Sequence, residues 1–280
     1  MDVCAVVLAA GVGRRLRPLT AVRPKALCPV GNVPLLDLAL ARAAGLGLAG
    51  PDRVAVNASY LASQVVEAVG DRACVSVEPG HPLGTSGGVA NLKAWIDGRG
   101  VLVGNADGYL AGAPLDPLLD GWDGESVRLL GVPGGPPEFG RHRFAGVSLL
   151  PWSLVEPLAT TPSELVRTVW RPAERAGRLA VVEYPGRYID TGTLADYLAA
   201  NLHAAGGGNL IGDGATITGR LDRAVVGAGA VVHGDVTRAV VWPDGVVTAG
   251  ERLVDAVRVG RDLTVSMDRP PFDRPQGAPR

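Results

Sequence analysis

The first hundred residues alternate short apolar runs with stretches whose apolar positions recur at helical spacing. Val3-Leu8 is continuously apolar, as a strand covered on both faces requires. Pro34-Leu48 places leucines and alanines at helical intervals, Arg53-Asn57 predicts a second strand, and Leu61-Val69 a second helix. Ala73-Val77 predicts a third strand and leads into the loop Glu78-Ser86. Gly87-Ile96 reads as a helix, and Val101-Gly104 as a fourth strand closing on Asn105-Ala-Asp107. Strands alternating with helices predict an α/β fold, a mostly parallel sheet with helices on both faces.

Further on the pattern loosens. Val127-Val132 and Arg143-Leu149 predict strands around the flexible Pro133-Gly-Gly-Pro-Pro137 turn. Helices are predicted at Leu154-Leu158, Ser163-Ala176 and Thr193-Ala205, with a strand at Leu179-Tyr184. Gly206-Gly-Gly208 marks the domain boundary. Beyond it the chain repeats: Ile211-Gly-Asp-Gly-Ala-Thr-Ile217 is echoed by Val226-Gly-Ala-Gly-Ala-Val-Val232 and by Val241-Trp-Pro-Asp-Gly-Val-Val247. Such hexapeptides, with almost no helical pattern, predict a stacked β-solenoid with glycines at the tight corners. The division is therefore 1–205, then a solenoid over 209–266, then a disordered tail over 267–280.

Composition narrows the classes. With 280 residues, 47% hydrophobic, 5% aromatic and a formal net charge of -1, the chain is an ordinary globular protein with no charge suited to nucleic acid or an acidic membrane. No apolar run is long enough to span a bilayer. Met1-Ala10 lacks a charged leader and reads directly into a strand, which predicts no signal peptide. Cys4, Cys28 and Cys74 are far apart and odd in number, which predicts buried reduced thiols in a cytoplasmic protein. The histidines are equally scattered, so neither a zinc site nor a Cys/His nucleophile is expected. Among 27 basic residues only Lys25 and Lys93 are lysines, which singles out Lys25.

The chemistry is concentrated in Leu8-Ala-Ala-Gly-Val-Gly-Arg-Arg-Leu-Arg-Pro-Leu-Thr20, followed by Arg23-Pro-Lys-Ala-Leu-Cys-Pro-Val30. A strand running into a glycine-containing loop lets backbone N–H groups point at phosphates. Arg15 adds a fork of donors and Lys25 a compact charge. A dinucleotide-binding turn would need a third glycine, which does not arrive where that fingerprint requires it.

The combination of this segment with the downstream Pro-Lys resembles the signature of the sugar-1-phosphate nucleotidyltransferases, the NDP-sugar pyrophosphorylases. Leu83-Gly-Thr-Ser-Gly-Gly88, Val103-Gly-Asn-Ala-Asp107, Phe144-Ala-Gly146 and Tyr188-Ile-Asp-Thr-Gly-Thr193 are similar to further family segments, in the family's order. The solenoid resembles that of the mannose-1-phosphate guanylyltransferase branch. The resemblance implies a Rossmann-like nucleotidyltransferase domain followed by a short left-handed β-helix. It implies Arg15 and Lys25 as catalytic residues, and Leu8, Ala10, Gly11, Gly13, Arg14, Gly84, Thr85 and Gly87 around the nucleotide. Gly146, Arg143 and Asp107 would meet the sugar phosphate, and Asp107 and Asp190 would hold Mg²⁺.

The implied reaction joins a nucleoside triphosphate to a sugar 1-phosphate and releases pyrophosphate, with GTP and mannose 1-phosphate as the first choice. Such a transfer needs positioning and charge neutralisation more than a covalent nucleophile. Glucose, muramate-type or heptose 1-phosphates and phosphocholine remain alternatives, as does a catalytically silent regulatory subunit that binds an NDP-sugar. A third is a structural hexapeptide protein whose first domain serves assembly. No nucleic-acid or membrane partner is expected, and a homo-oligomer through the β-helix is. One departure stands out: Gly135-Pro-Pro-Glu-Phe-Gly-Arg-His-Arg143 replaces the family's Glu-Lys-Pro segment. Arg141 or Arg143 takes the missing lysine's role, or the phosphate is held otherwise.

Overall fold

The structure, a computed structural model, describes residues 2–267. The expected disordered tail lies, apart from Met267, outside the described residues. Two compact units are present. The first comprises the residues up to Val12, Arg23–Cys28 and Pro34–Asp190; the second comprises Gly13–Val22, Pro29–Val33 and the residues from Thr191 on.

In the first unit, β1 (Val3–Leu8), β2 (Val54–Ala58), β3 (Cys74–Val77), β4 (Gly100–Asn105), β6 (Val127–Pro133), β7 (His142–Leu150) and β8 (Leu179–Glu183) form one sheet. Its order is β8-β6-β7-β4-β1-β2-β3. Strands β1, β2, β3 and β4 pair in parallel, as do β6 and β8, while β7 runs antiparallel to both β4 and β6. The mixed, mostly parallel sheet agrees with the expectation. Alternation along β1 sends Ala5 and Val7 into one core and Cys4 and Val6 into the other, which is why that strand reads as unbroken apolar sequence. Helices α1 (Leu35–Gly45) and α2 (Ala62–Val69) cover the first face, and α3 (Gly84–Asn91) contributes Val89 and Ala90 to the second. The helix expected to start at Gly87 thus starts three residues earlier and breaks before Lys93–Ile96.

A two-stranded antiparallel pair, β5 (Gly108–Ala111) with β9 (Arg187–Asp190), does not appear in the sequence pattern. It sets Asp190 opposite Gly108, the residue after Asp107. Strand β7 carries a bulge against β6: Leu129 pairs with Ser148 but Gly131 with Phe144. Ala145, Gly146 and Val147 there face Leu130 alone, two residues more than the partner strand has, and Gly146 has a left-handed φ of 78°.

The second unit is a parallel β-solenoid with three strand ladders. Leu210 lies opposite Val225 and Val225 opposite Val240; Thr216, Val231 and Val246 form the second ladder, and Leu221, Val236 and Leu253 the third. Val226, Val232, Val236, Val241 and Val247 fill its interior. The corner glycines divide into two kinds. Gly214 and Gly229 have positive φ, whereas Gly212 and Gly227 are required because a Cβ would lie 2.5 and 2.3 Å from backbone nitrogen of the next coil. A third corner uses Arg223, Arg238 and Asp255 at positive φ, with no glycine at all.

Helix α4 (Leu194–Ala204) is capped by Thr193, whose Oγ1 accepts from Asp196 N–H. It belongs to this second unit, so the compact units divide before α4 and not at Gly206-Gly208. The reason is a buried polar cluster. Tyr197 donates to Pro29 O, Asn201 Oδ1 accepts from Gly31 N–H at 3.0 Å, and Trp242 Nε1 donates to Tyr197 Oη at 2.9 Å.

Candidate active site

Lys25 opens a short helical turn, Lys25–Leu27, and is 5% exposed. Its ammonium lies 2.6 Å from Asp107 Oδ2 and 3.6 Å from Asp190 Oδ1. Asp107 stands two residues past the end of β4, and Ala106 N–H donates to Leu8 O at 3.0 Å. That bond ties the aspartate's turn to the carboxyl end of β1. The β5–β9 pair brings in Asp190. Both carboxylates are partly exposed, so the cluster opens to solvent on the side away from Lys25.

Tyr188 packs beside this cluster, its ring 3.5 Å from where a Cβ on Gly146 would stand and 3.3 Å from one on Gly108. Burial raises the phenol's pKa, and the charges of Asp190 and Asp107 raise it further against a smaller pull from Arg143. Tyr188 is therefore a neutral shelf. The Arg143 guanidinium lies 5.7 Å from the Tyr188 ring centroid, and its covered Nε has no protein partner. Arg141 is different: its side chain is 80% exposed and bonds Glu183 at 3.2 Å. His142 holds the same Glu183 carboxylate at 2.9 Å, and this bond is the main cause of its lowered pKa.

The expected nucleotide residues fall in three places. Leu8 and Ala10 lie at the end of β1, Ala10 buried and Gly11 exposed after it. Gly13, Arg14 and Arg15 belong to the second unit, where Gly13 at φ 64° caps the turn Arg14–Leu16 and Thr20 Oγ1 donates to Gly13 O at 2.8 Å. Arg14 and Arg15 are exposed there. Gly84, Thr85 and Gly87 face the segment 161–165. A Cβ on Gly84 would stand 2.4 Å from Ser163 O, and one on Gly87 2.4 Å from Thr161 O. Thr85 donates to Glu164 Oε2 from both its N–H (3.3 Å) and its Oγ1 (2.6 Å). Close backbone packing is thus a sufficient reason for both glycines.

Asn57 and Arg42 escape the sequence reading, whereas Glu78 stands in it at the start of the loop Glu78-Ser86, as an ordinary loop residue or a contact to the base. Asn57 and Glu78 are buried and bonded to each other at 2.7 Å; a polar pair inside apolar strand ends was the available signal. Arg42, on α1, lines a small cavity beside Gly104 and has an unpartnered Nη1. Burial lowers its pKa to about 10, opposed by Tyr184, Tyr188 and Asp107. All three cysteines are free, and Cys4 and Cys28 are buried as expected, burial raising them to about 11 and about 12, whereas Cys74 is only partly buried.

Two aspartates converging on one positive charge form a hard oxygen donor set that suits Mg²⁺. Among the described residues no group of three or more His, Cys, Asp or Glu converges, so the remaining ligands of such an ion would be water or phosphate oxygens. Residues 4–116 match the model of the nucleotidyl transferase family. That match covers less than half of the chain. The matched region holds Lys25 and Asp107, while Asp190 lies beyond it.

The chain is similar to mannose-1-phosphate guanylyltransferase of Mycobacterium tuberculosis, 37% identical over 42% of this chain and 33% of the relative. It is also similar to N-acetylmuramate alpha-1-phosphate uridylyltransferase of Neisseria meningitidis, 38% identical over 37% of this chain and 46% of the relative. The chain thus spans half or less of the length of these relatives. Among solved structures, the mannose-1-phosphate geranyltransferase of Thermus thermophilus matches with a TM-score of 0.66 at 22% identity, covering 96% of both chains. That likeness speaks to the fold alone. No helix among the described residues is long and apolar enough to cross a membrane.

Proposed function

We propose that this protein is a Mg²⁺-dependent sugar-1-phosphate nucleotidyltransferase, with GTP and mannose 1-phosphate as its preferred pair. The observation that carries the reading is Lys25 set between Asp107 and Asp190 at the carboxyl end of the sheet, where open α/β folds bind their ligands. A phosphate oxygen of the sugar phosphate attacks the α-phosphorus of the nucleotide. The bond to the β-phosphate oxygen breaks, and pyrophosphate leaves with its charge. Asp107 and Asp190 would hold Mg²⁺, which would supply charge neutralisation to the transfer when bound.

The chain's own residues do the rest. Loop Ala9–Val12 presents backbone N–H groups to the triphosphate. Lys25 stabilises charge growing on the leaving pyrophosphate. Arg143, braced on Tyr188 with its Nε unbonded, holds the sugar phosphate; Arg141 is already engaged by Glu183. The roles of Arg15, and of Gly84, Thr85 and Gly87 around the base, rest on the sequence motifs. The mannose choice rests on the guanylyltransferase relative and the solenoid, and a cytoplasmic homo-oligomer assembled through the solenoid belongs to the same reading.

Pyrophosphate release with Mg²⁺ across GTP, UTP, dTTP, CTP and ATP, against a panel of sugar 1-phosphates and phosphocholine, tests it. One pair should dominate and vanish in Asp107→Ala and Lys25→Ala. Release with UTP and N-acetylmuramate 1-phosphate instead would move the assignment to the uridylyltransferase relative. Silence with intact nucleotide binding would leave a regulatory subunit.

A further inference from the structure

Asn57 and Glu78 form a buried chain of hydrogen bonds between two segments far apart in sequence. Asn57 is 1% exposed near the end of β2, and Glu78, 3% exposed, follows β3. Ala9 N–H donates to Asn57 Oδ1 at 2.7 Å, Asn57 Nδ2 donates to Glu78 Oε1 at 2.7 Å, and Leu83 N–H donates to Glu78 Oε2 at 2.7 Å. Ala9 is the first residue past β1, and Leu83 precedes Gly84. Gly88 leaves room for the pair: a Cβ there would stand 2.6 Å from Asn57 Nδ2 and 2.9 Å from Glu78 Oε1.

We infer that Asn57 and Glu78 are positioning residues for the nucleoside triphosphate, a clamp that fixes the spacing between the loop after β1 and the Leu83–Gly88 turn. The inference rests on the function proposed above, which places the triphosphate at the first segment and the base at the second. Neither residue need touch the nucleotide. They set the spacing between the two segments that do touch it; the second is also held from its other side, where Ser86 N–H donates to Ser163 O and Thr85 to Glu164.

The clamp has a polarity. Ala9 and Leu83 present N–H groups, which only donate, so the pair between them must accept at both ends and match internally. An amide at 57 and a carboxylate at 78 satisfy this. Glu78→Gln introduces a second amide, and one N–H then faces another N–H wherever the two amides are turned. Asn57→Asp sets carboxylate against carboxylate. The double variant restores the match at the same formal charge: the carboxylate at position 57 accepts from Ala9 N–H and from the amide at position 78, whose oxygen accepts from Leu83 N–H.

Calorimetric titration with GTP and with UTP in the presence of Mg²⁺ reads the clamp directly, and thermal melting reports whether each variant is folded. Each single variant should bind the better nucleotide about tenfold more weakly, because a buried donor or acceptor loses its partner. The KM for the sugar 1-phosphate should stay within about twofold at saturating nucleotide, since a positioning defect confined to the nucleotide leaves the other substrate's contacts intact. The double variant should recover to within about threefold of wild type. Folded single variants that bind as wild type does, or a double variant no better than the weaker single, would overturn the clamp. So would a lowered melting temperature with unchanged affinity, the mark of a purely structural pair. A wild type that binds neither nucleotide overturns the proposed function and the clamp together, whereas a binding wild type with indifferent singles overturns the clamp alone.

Discussion

Replacing Lys25 with Met should push two measurements in opposite directions. The methionine side chain fills most of the lysine's volume, so the buried position stays packed, but the ammonium 2.6 and 3.6 Å from the two aspartates is gone. With water-like screening, fitting for carboxylates 39% and 46% exposed, each contact is worth about 1–2 kcal/mol. Losing both contacts with this competing charge, about 3 kcal/mol together, should tighten divalent-metal binding in the absence of nucleotide by about 100-fold, since 1.4 kcal/mol is one decade. Turnover should fall by at least about 100-fold, because charge developing on the pyrophosphate loses a preorganised partner. Free Mn²⁺ measured by its electron paramagnetic resonance signal gives the first number, and pyrophosphate release the second. Asp107→Asn serves as the control that loses both metal and turnover. Unchanged or weaker Mn²⁺ binding in Lys25→Met would refute the idea that lysine and metal share this pair of carboxylates.

Three further outcomes follow from other parts of the molecule. Tyr197→Phe removes the acceptor of Trp242 Nε1 and a donor to Pro29 O within a fully buried cluster. It should cost about 2–4 kcal/mol and several degrees of Tm, and a melt within about one degree of wild type would disprove that cost. Arg143→Ala should raise the KM for the sugar phosphate at least about tenfold while Arg141→Ala changes it less than about twofold; equal effects would remove Arg143 from its role. In the solenoid, the Arg258 guanidinium and then the Thr248 N–H hold Glu251 down at about 2, from an ordinary 4.5. A depressed carboxylate stabilises the fold fully above its unfolded pKa and loses that contribution as pH falls toward the folded one. The Tm should therefore drop more steeply between pH 4.5 and 2 in wild type than in Glu251→Gln, and parallel pH profiles would contradict the assignment.

What the sequence discloses, and what it withholds, follows from the range of the forces involved. The buried strands β1, β2 and β4 are legible because burial on both faces demands apolar residues at every position. The solenoid is legible because each coil repeats the demands of the one before it. The β5–β9 pair is not: each strand has four residues, too few for a period, and its pairing is set by contact between positions some eighty residues apart. Asp107 and Asp190 could be marked from their motifs, but only this pairing explains why they meet. The same holds for Asn57, which closes a predicted strand, and Glu78, which opens the loop after another: their pairing shows only once Ala9 and Leu83 are seen to donate to them.

Glycine shows the limit from the other side. Gly84, Gly87 and Gly88 form one motif in sequence, yet the first two are required by the backbone at 161–163 and the third by the Asn57–Glu78 pair. A motif can therefore persist because neighbouring elements crowd it, even where only part of it faces a ligand. If crowding alone fixes Gly87, then Gly87→Ala should lower stability and nucleotide affinity together, by displacing Thr161. Loss of affinity at unchanged stability would show instead that the position meets the base.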